Sequence, residues 1–189
     1  QWEGYFVTFL CLLLASLIGS LPYYWGVPDS SYIDCLFESV SGFTTTGCNV
    51  LDINTLPKSI LFWKATSNWI GGMGILVVMV SLFSSLGISS VGLTIAEAPG
   101  PSLQKTSSRV SNTGKFLYML YIMFSVVDFI LISASGINTY DALINTFSSV
   151  STGGLLITNE NIAYFDTTYM HIVISIVTLV SSLNYMLYF

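Results

Sequence analysis

Two short polar stretches interrupt a chain otherwise built from long apolar runs. The first is Ser41-Gly42-Phe43-Thr44-Thr45-Thr46-Gly47-Cys48, and the second is Ser148-Ser149-Val150-Ser151-Thr152-Gly153-Gly154-Leu155. Only 8% of the 189 residues are charged and 53% are hydrophobic, whereas a soluble domain carries about 25% charged residues. The chain therefore reads as an integral membrane protein. At membrane depth, backbone that is neither helix nor strand is tolerated only where it is buried in protein or lines a watery cavity. One Ser/Thr/Gly run alone is ordinary turn punctuation. Two related runs imply a pore in which oxygens replace the hydration shell of a cation.

Other classes find little support. The net charge is −5 and no basic patch could hold phosphates, so no nucleic-acid partner is expected. Cys11, Cys35 and Cys48 show neither metal-site spacing nor a paired framework. His171 is the lone histidine and reads as an interfacial or packed side chain. An intramembrane enzyme would need a catalytic dyad, and Asp128 has no obvious carboxylate partner, nor is there a His-Glu-x-x-His motif. No enzyme activity and no cofactor are expected. The chain starts at Gln1 and stops at Phe189 inside an apolar run, so it is expected to be a piece of a longer protein.

The apolar runs set the order of elements. Tyr5 to Leu21 is a first span, ended by Pro22 and followed by Tyr23, Tyr24 and Trp25 at a membrane–water boundary. Ile33 to Phe43 is too short to cross. With Asp34 near its start and Gly42 near its end, it fits a re-entrant half-helix whose negative C-terminal end faces a cation. A surface amphipathic helix is the alternative. Ile60 to Leu86 is a second span carrying Lys64, Asn68 and Gly71-Gly72-Met73-Gly74, whose glycines suit close packing against the back of the first loop. Lys64 either is a paired or functional residue or snorkels to the outer interface. Phe116 to Ser135 is a third span. Its Asp128, an intramembrane carboxylate, is a functional-site candidate by default; the favoured alternative places it near the outer end, capping or pairing with a neighbour. Asp141 to Val150 is a second half-helix, and Tyr169 to Phe189 a fourth, truncated span.

Lys105, Arg109 and Lys115 cluster in the polar connection Gly87 to Gly114 or at its end, which places that connection in the cytoplasm by the positive-inside rule. Asp29, Asp34, Glu38, Asp52, Asp141, Glu160 and Asp166 then fall on or near the outer side, where they would concentrate cations.

The two halves repeat. At an offset of 107, Asp34 falls on Asp141, Ser41 on Ser148, Thr45 on Thr152, Gly47 on Gly154 and Asn54 on Asn161. The expected fold is an all-α membrane protein of parallel helix–pore half-helix–filter loop–helix repeats, similar to potassium channels. Residues 1–95 form the first repeat, 96–112 the cytoplasmic connection and 113–189 the second repeat. The expected selectivity filter is Thr44, Thr45, Thr46 and Gly47 with Ser151, Thr152, Gly153 and Gly154. Its ion ligands are the backbone carbonyls of Thr45, Thr46, Gly47, Thr152, Gly153 and Gly154. Gly47 and Gly154 would supply left-handed backbone. Gly153 is expected to tolerate Ala better than Gly47 or Gly154 tolerates Ser, because the offset pairs it with Thr46, which already carries a side chain. Four such loops close a filter around one axis and two do not.

The chain resembles a known family. Phe37-Glu38-Ser39-Val40-Ser41-Gly42-Phe43-Thr44-Thr45-Thr46-Gly47, Phe62-Trp63-Lys64 and Trp69-Ile70-Gly71-Gly72-Met73-Gly74-Ile75 look like the first pore repeat of the TrkH/KtrB potassium transporters of the Trk/Ktr/HKT superfamily. Glu97-Ala98-Pro99-Gly100-Pro101 resembles their cytoplasmic connection, and Asp141-Ala142 with Ser149 to Leu155 resembles their second repeat. The likeness is closest to the Trk branch. Cys48 and Leu155 stand where the family often has Ala and Phe. The resemblance implies potassium uptake across a bacterial or archaeal plasma membrane by a multi-pass protein whose pore loops enter from outside. It implies four repeats in one chain, a gating loop in the third, a homodimer, and a cytoplasmic nucleotide-binding subunit of the TrkA/KtrA type near Glu97 to Arg109. Potassium would be the transported substrate. Passive movement and coupling to sodium or protons, as in a symporter, both stay open. The rival readings are a non-conducting structural or regulatory membrane subunit and a two-repeat cation channel that assembles as a dimer.

Overall fold

The computed structural model describes residues 2–85, 106–154, 165 and 167–183, with side chains described at 6, 9–74, 115–154, 165 and 167–183. The expectations for Glu97 to Pro101, Lys105, Leu155, Glu160, Asn161 and Asp166, and for the side chain of Arg109, lie outside those residues. All regular structure among the described residues is helical. In order the helices are α1 (Trp2–Gly19), α2 (Leu21–Gly26), α3 (Tyr32–Phe43), α4 (Lys58–Ser85), α5 (Thr106–Ser133), α6 (Thr139–Val150) and α7 (Thr168–Ser182), with a 3₁₀ turn at Ile53–Thr55.

Pro22 does not end the first helical stretch. It sits in the first turn of α2, where a missing N–H costs nothing, so the chain breaks at Ser20 and helix resumes at once. The aromatic boundary also divides. Tyr23 is fully buried, while Tyr24 and Trp25 are exposed. The two half-helices begin alike. Ser31 Oγ accepts from the Ile33 N–H at 3.3 Å, and Asn138 Oδ1 accepts from the Tyr140 N–H at 3.3 Å. Each cap is followed by an aspartate in the first turn, Asp34 and Asp141, which favours the positive helix end. The third long helix starts earlier than the sequence reading placed it, at Thr106 rather than Phe116.

Helices α4 and α5 have 28 residues each, about 42 Å at the α-helical rise and more than the roughly 30 Å hydrocarbon core of a bilayer. Two stretches among the described residues are both long and apolar enough to cross a membrane, Phe9–Gly26 and Lys115–Ser133. The polarity of the bundle is inverted relative to a soluble protein. Phe9, Leu14 and Ile18 on α1, Met119 and Ile130 on α5, and Ile176 and Leu179 on α7 are exposed. Glu38, Lys64, Asn68, Asp128, Asn145 and Thr146 are buried. Lipid as solvent accepts the first set and penalises the second.

Helix α4 is the hub. It packs against α3 and α6, the two half-helices, and against α5. One apolar cluster joins Tyr23, Cys35, Ile60, Leu61 and Ala65 to Ile144 of α6. A second joins Ile132, Ala142, Met170 and Ile174 across α5, α6 and α7. A third sets Leu117, Tyr121 and Val150 beneath Trp69 and Met73. Together these clusters hold both half-helices with their C-terminal ends against α4.

Candidate functional site

Each half-helix ends in the same hydrogen-bonded motif. At the end of α3 the Thr45 N–H donates to Gly42 O at 3.0 Å and the Thr46 N–H to Ser41 O at 3.0 Å. At the end of α6 the Thr152 N–H donates to Ser149 O at 3.1 Å and the Gly153 N–H to Ser148 O at 3.0 Å. This is the Schellman termination, in which the residue after the cap takes left-handed backbone and is usually glycine. Here it is threonine both times, with φ of 53° at Thr45 and 54° at Thr152. A β-branched residue in that region is an outlier that persists only where its surroundings impose it. Two residues further on the backbone turns left-handed again, at Gly47 (φ 75°) and Gly154 (φ 65°), as the sequence led one to expect.

These donor directions fix where the carbonyls go. In a trans peptide the N–H and the preceding C=O point opposite ways. The N–H groups of Thr45 and Thr46 turn back into α3, so the carbonyls of Thr44 and Thr45 point away from it. The same holds for Ser151 and Thr152 relative to α6. Each loop therefore presents oxygens beyond the negative end of its half-helix, which suits a dehydrated cation. Thr44 Oγ1 instead donates back to Val40 O at 2.7 Å and lies 2.7 Å from Thr46 Oγ1, so this hydroxyl braces the loop. Ser151 Oγ likewise donates to Ser148 O at 3.3 Å. The loops are neighbours: a Cβ on Gly47 would overlap the carbonyl oxygen of Gly153.

Helix α4 wedges between the loops. A Cβ on Gly71 would overlap the Phe43 carbonyl at the end of α3. One on Gly72 would lie 3.1 Å from Ser151 Cβ and 2.6 Å from Tyr121 Oη. The glycine pair thus receives one loop on each side, where the sequence pointed only to the first. Gly74 has open space around it.

Beyond the first loop, the exiting chain is tied down by charge. Glu38 Oε1 accepts from the N–H groups of Val50 at 2.7 Å and Leu51 at 2.8 Å. Its other oxygen accepts from Lys64 Nζ, which also donates to Asn49 Oδ1. Ser41 Oγ donates to Cys48 O at 2.7 Å. Lys64 is therefore a buried, paired residue and does not snorkel. Glu38 is not an outer-surface charge, as the sequence suggested, but a buried partner on α3.

The pattern of the TrkH family, described as cation transport proteins, matches residues 4–189. The chain belongs to this family. It is 34% identical over 99% of its length to the Trk system potassium uptake protein TrkH of Escherichia coli, and 35% identical over 99% to that of Halomonas elongata. It spans 39% of the length of each of these relatives. It also superposes on the crystal structure of the potassium transporter TrkH from Vibrio parahaemolyticus with a TM-score of 0.82 at 29% identity, covering 100% of this chain and 38% of that one. The all-α membrane architecture is that of the TrkH fold. TrkH-family proteins are transporters and not enzymes, and the work of moving an ion makes no covalent bond.

Of the loop residues expected from sequence, Gly47 lies against Gly153 and Gly154 in this TrkH-family chain. Gly153 is more closely hemmed in than its offset partner. Gly153 is buried, and a Cβ there would stand 2.7 Å from Asn68 Nδ2 and 3.0 Å from Asn68 Cγ. Pairing by offset with Thr46 had suggested tolerance, but Thr46 is exposed and Gly153 is not. Asp128 pairs with a neighbour, as expected: Ser149 Oγ donates to its Oδ2, and the carboxylate is fully buried behind the second half-helix.

Proposed function

We propose that this chain supplies two of the pore loops through which a TrkH-family protein takes up potassium across the plasma membrane. The observation that carries the reading is the recurrence of one loop construction at Thr44–Gly47 and Ser151–Gly154, with matching left-handed positions and matching hydrogen bonds. The names of the relatives, potassium uptake protein and potassium transporter, support potassium as the cargo. The backbone carbonyls of Thr45, Thr46, Gly47, Thr152, Gly153 and Gly154 replace water around the ion, and Gly47 and Gly154 keep them aimed. Further pore loops close the ring, in keeping with the share of the relatives' length that this chain spans.

In this reading the loops enter from outside and residues 96–112 face the cytoplasm. There they lie near a TrkA/KtrA-type nucleotide-binding subunit, and the full protein is a homodimer. The test is uptake in cells lacking their own potassium transporters. Full-length protein should accumulate rubidium in preference to sodium. Correctly inserted protein that accumulates neither ion contradicts the reading and favours a non-conducting subunit.

A further inference from the structure

Asn68 projects from α4 between the ends of the two filter loops, and it is 1% exposed. Its Oδ1 lies 3.8 Å from where a Cβ on Gly42, at the end of α3, would stand. Its Nδ2 lies 2.7 Å from the corresponding point on Gly153 in the second loop, which is also 3.1 Å from Ser151 Oγ. Neither polar atom of the amide has a hydrogen-bond partner. The large majority of buried side-chain polar atoms do have partners, and a buried amide without one is destabilising relative to an apolar side chain of the same shape. A leucine would fill this space more stably. The amide is held against the end of α3 at Gly42 and against the second loop at Gly153.

We propose that Asn68 is a specificity-determining positioning residue that sets the separation of the first and second filter loops. This rests on the filter reading above and goes beyond it, because Asn68 lies in neither loop and offers the ion no ligand. Its bulk stops Gly153 from moving back toward α4. Its Nδ2 faces the second loop at Gly153. Its Oδ1 faces Gly42, where the first half-helix ends. One side chain thus couples the positions of two carbonyl sets that must act on one ion. Selectivity between potassium and a smaller cation depends on that spacing.

The test is a double-mutant cycle in the full-length transporter, read as the ratio of rubidium to sodium uptake at matched membrane abundance. Gly153→Ala alone should lower the ratio about tenfold, because its methyl drives against the amide. Asn68→Leu, which keeps the volume and removes the polar atoms, should also lower it while leaving abundance unchanged. Asn68→Ala alone should lower the ratio, and Asn68→Ala with Gly153→Ala should lose little more than Asn68→Ala does, because the space vacated by the amide accepts the methyl. If Asn68→Ala reaches the membrane poorly, Asn68→Ser carries the same test. A purely structural role would lower abundance and the uptake of both ions together with an unchanged ratio, and that result overturns the proposal. Strictly additive losses in the double variant overturn it as well. Wild-type protein that does not discriminate rubidium from sodium contradicts the filter reading itself, whereas unchanged ratios in the Asn68 variants of a discriminating wild type contradict this proposal alone.

Discussion

Lys64 and Glu38 form an ion pair inside the bundle, with side chains 1% and 0% exposed. The pair joins α4 to α3. Through Asn49 and the Val50 and Leu51 N–H groups it also secures the chain that leaves the first loop. The equivalents of Glu38 and Lys64 at the 107 offset are Asn145 and His171, so the second repeat is not braced by the same charges.

Breaking this pair on one side should be worse than replacing it. Lys64→Met leaves a buried carboxylate uncompensated and should cost about 3–5 kcal/mol, enough to reduce folded protein sharply. The double variant Glu38→Leu with Lys64→Met removes both charges and should recover much of that stability. It should not recover transport, because the Val50 and Leu51 N–H groups lose their acceptor and the chain leaving the first loop is freed. Thermal unfolding of the purified protein beside rubidium uptake separates the two effects. Full transport in the double variant would show that the pair does not position the loop.

The glycines of α4 should differ in a defined order. Gly71→Ala puts a methyl against the Phe43 carbonyl at the end of α3 and Gly72→Ala puts one against Ser151 and Tyr121, so each should abolish or strongly reduce transport. Gly74→Ala meets nothing within 4 Å and should be tolerated. Uptake and membrane abundance of the three variants give the comparison. Equal tolerance at 71 and 74 would contradict the close packing of α4 against Phe43.

At the second half-helix, Ser149→Ala should destabilise more than Asp128→Asn. The first removes the hydroxyl that donates to a fully buried carboxylate, a loss of about 1–3 kcal/mol. The second removes the charge and retains a group that can accept from Ser149. Melting temperatures of the two variants check the order, and a more severe effect of Asp128→Asn would contradict it.

Much of this was legible in the sequence, for reasons of period and composition. Hydropathy marked the long helices, and the short runs with an acidic residue near the start marked α3 and α6, because helix length and end charge are local properties. The 107 offset marked the loops, because both are written in the same small residues. Pro22 was misread because proline ends a helix or begins one, and which it does depends on the residues that follow. Thr45 and Thr152 gave no sign of left-handed backbone, since threonine disfavours it and only the motif around it imposes it. Glu38 and Asn68 lay on recognised segments, but their roles depend on which helix faces which. The crowding of Gly153 by Asn68 was not legible, because an offset aligns backbone positions and is silent about the side chain standing behind them.

The central claim is that Thr44–Gly47 and Ser151–Gly154 are equivalent parts of one cation filter. It is tested most directly by the rubidium-to-sodium uptake ratio of full-length Gly47→Ser and Gly154→Ser, with membrane abundance as the control. A side chain at φ of 75° or 65° costs about 1–3 kcal/mol if the loop keeps its shape, so the loop should relax and turn a carbonyl away. Both variants should reach the membrane and lose selectivity, with Gly47→Ser the more severe because its Cβ also meets Gly153 O. Wild-type ratios in both variants at normal abundance would contradict the filter assignment.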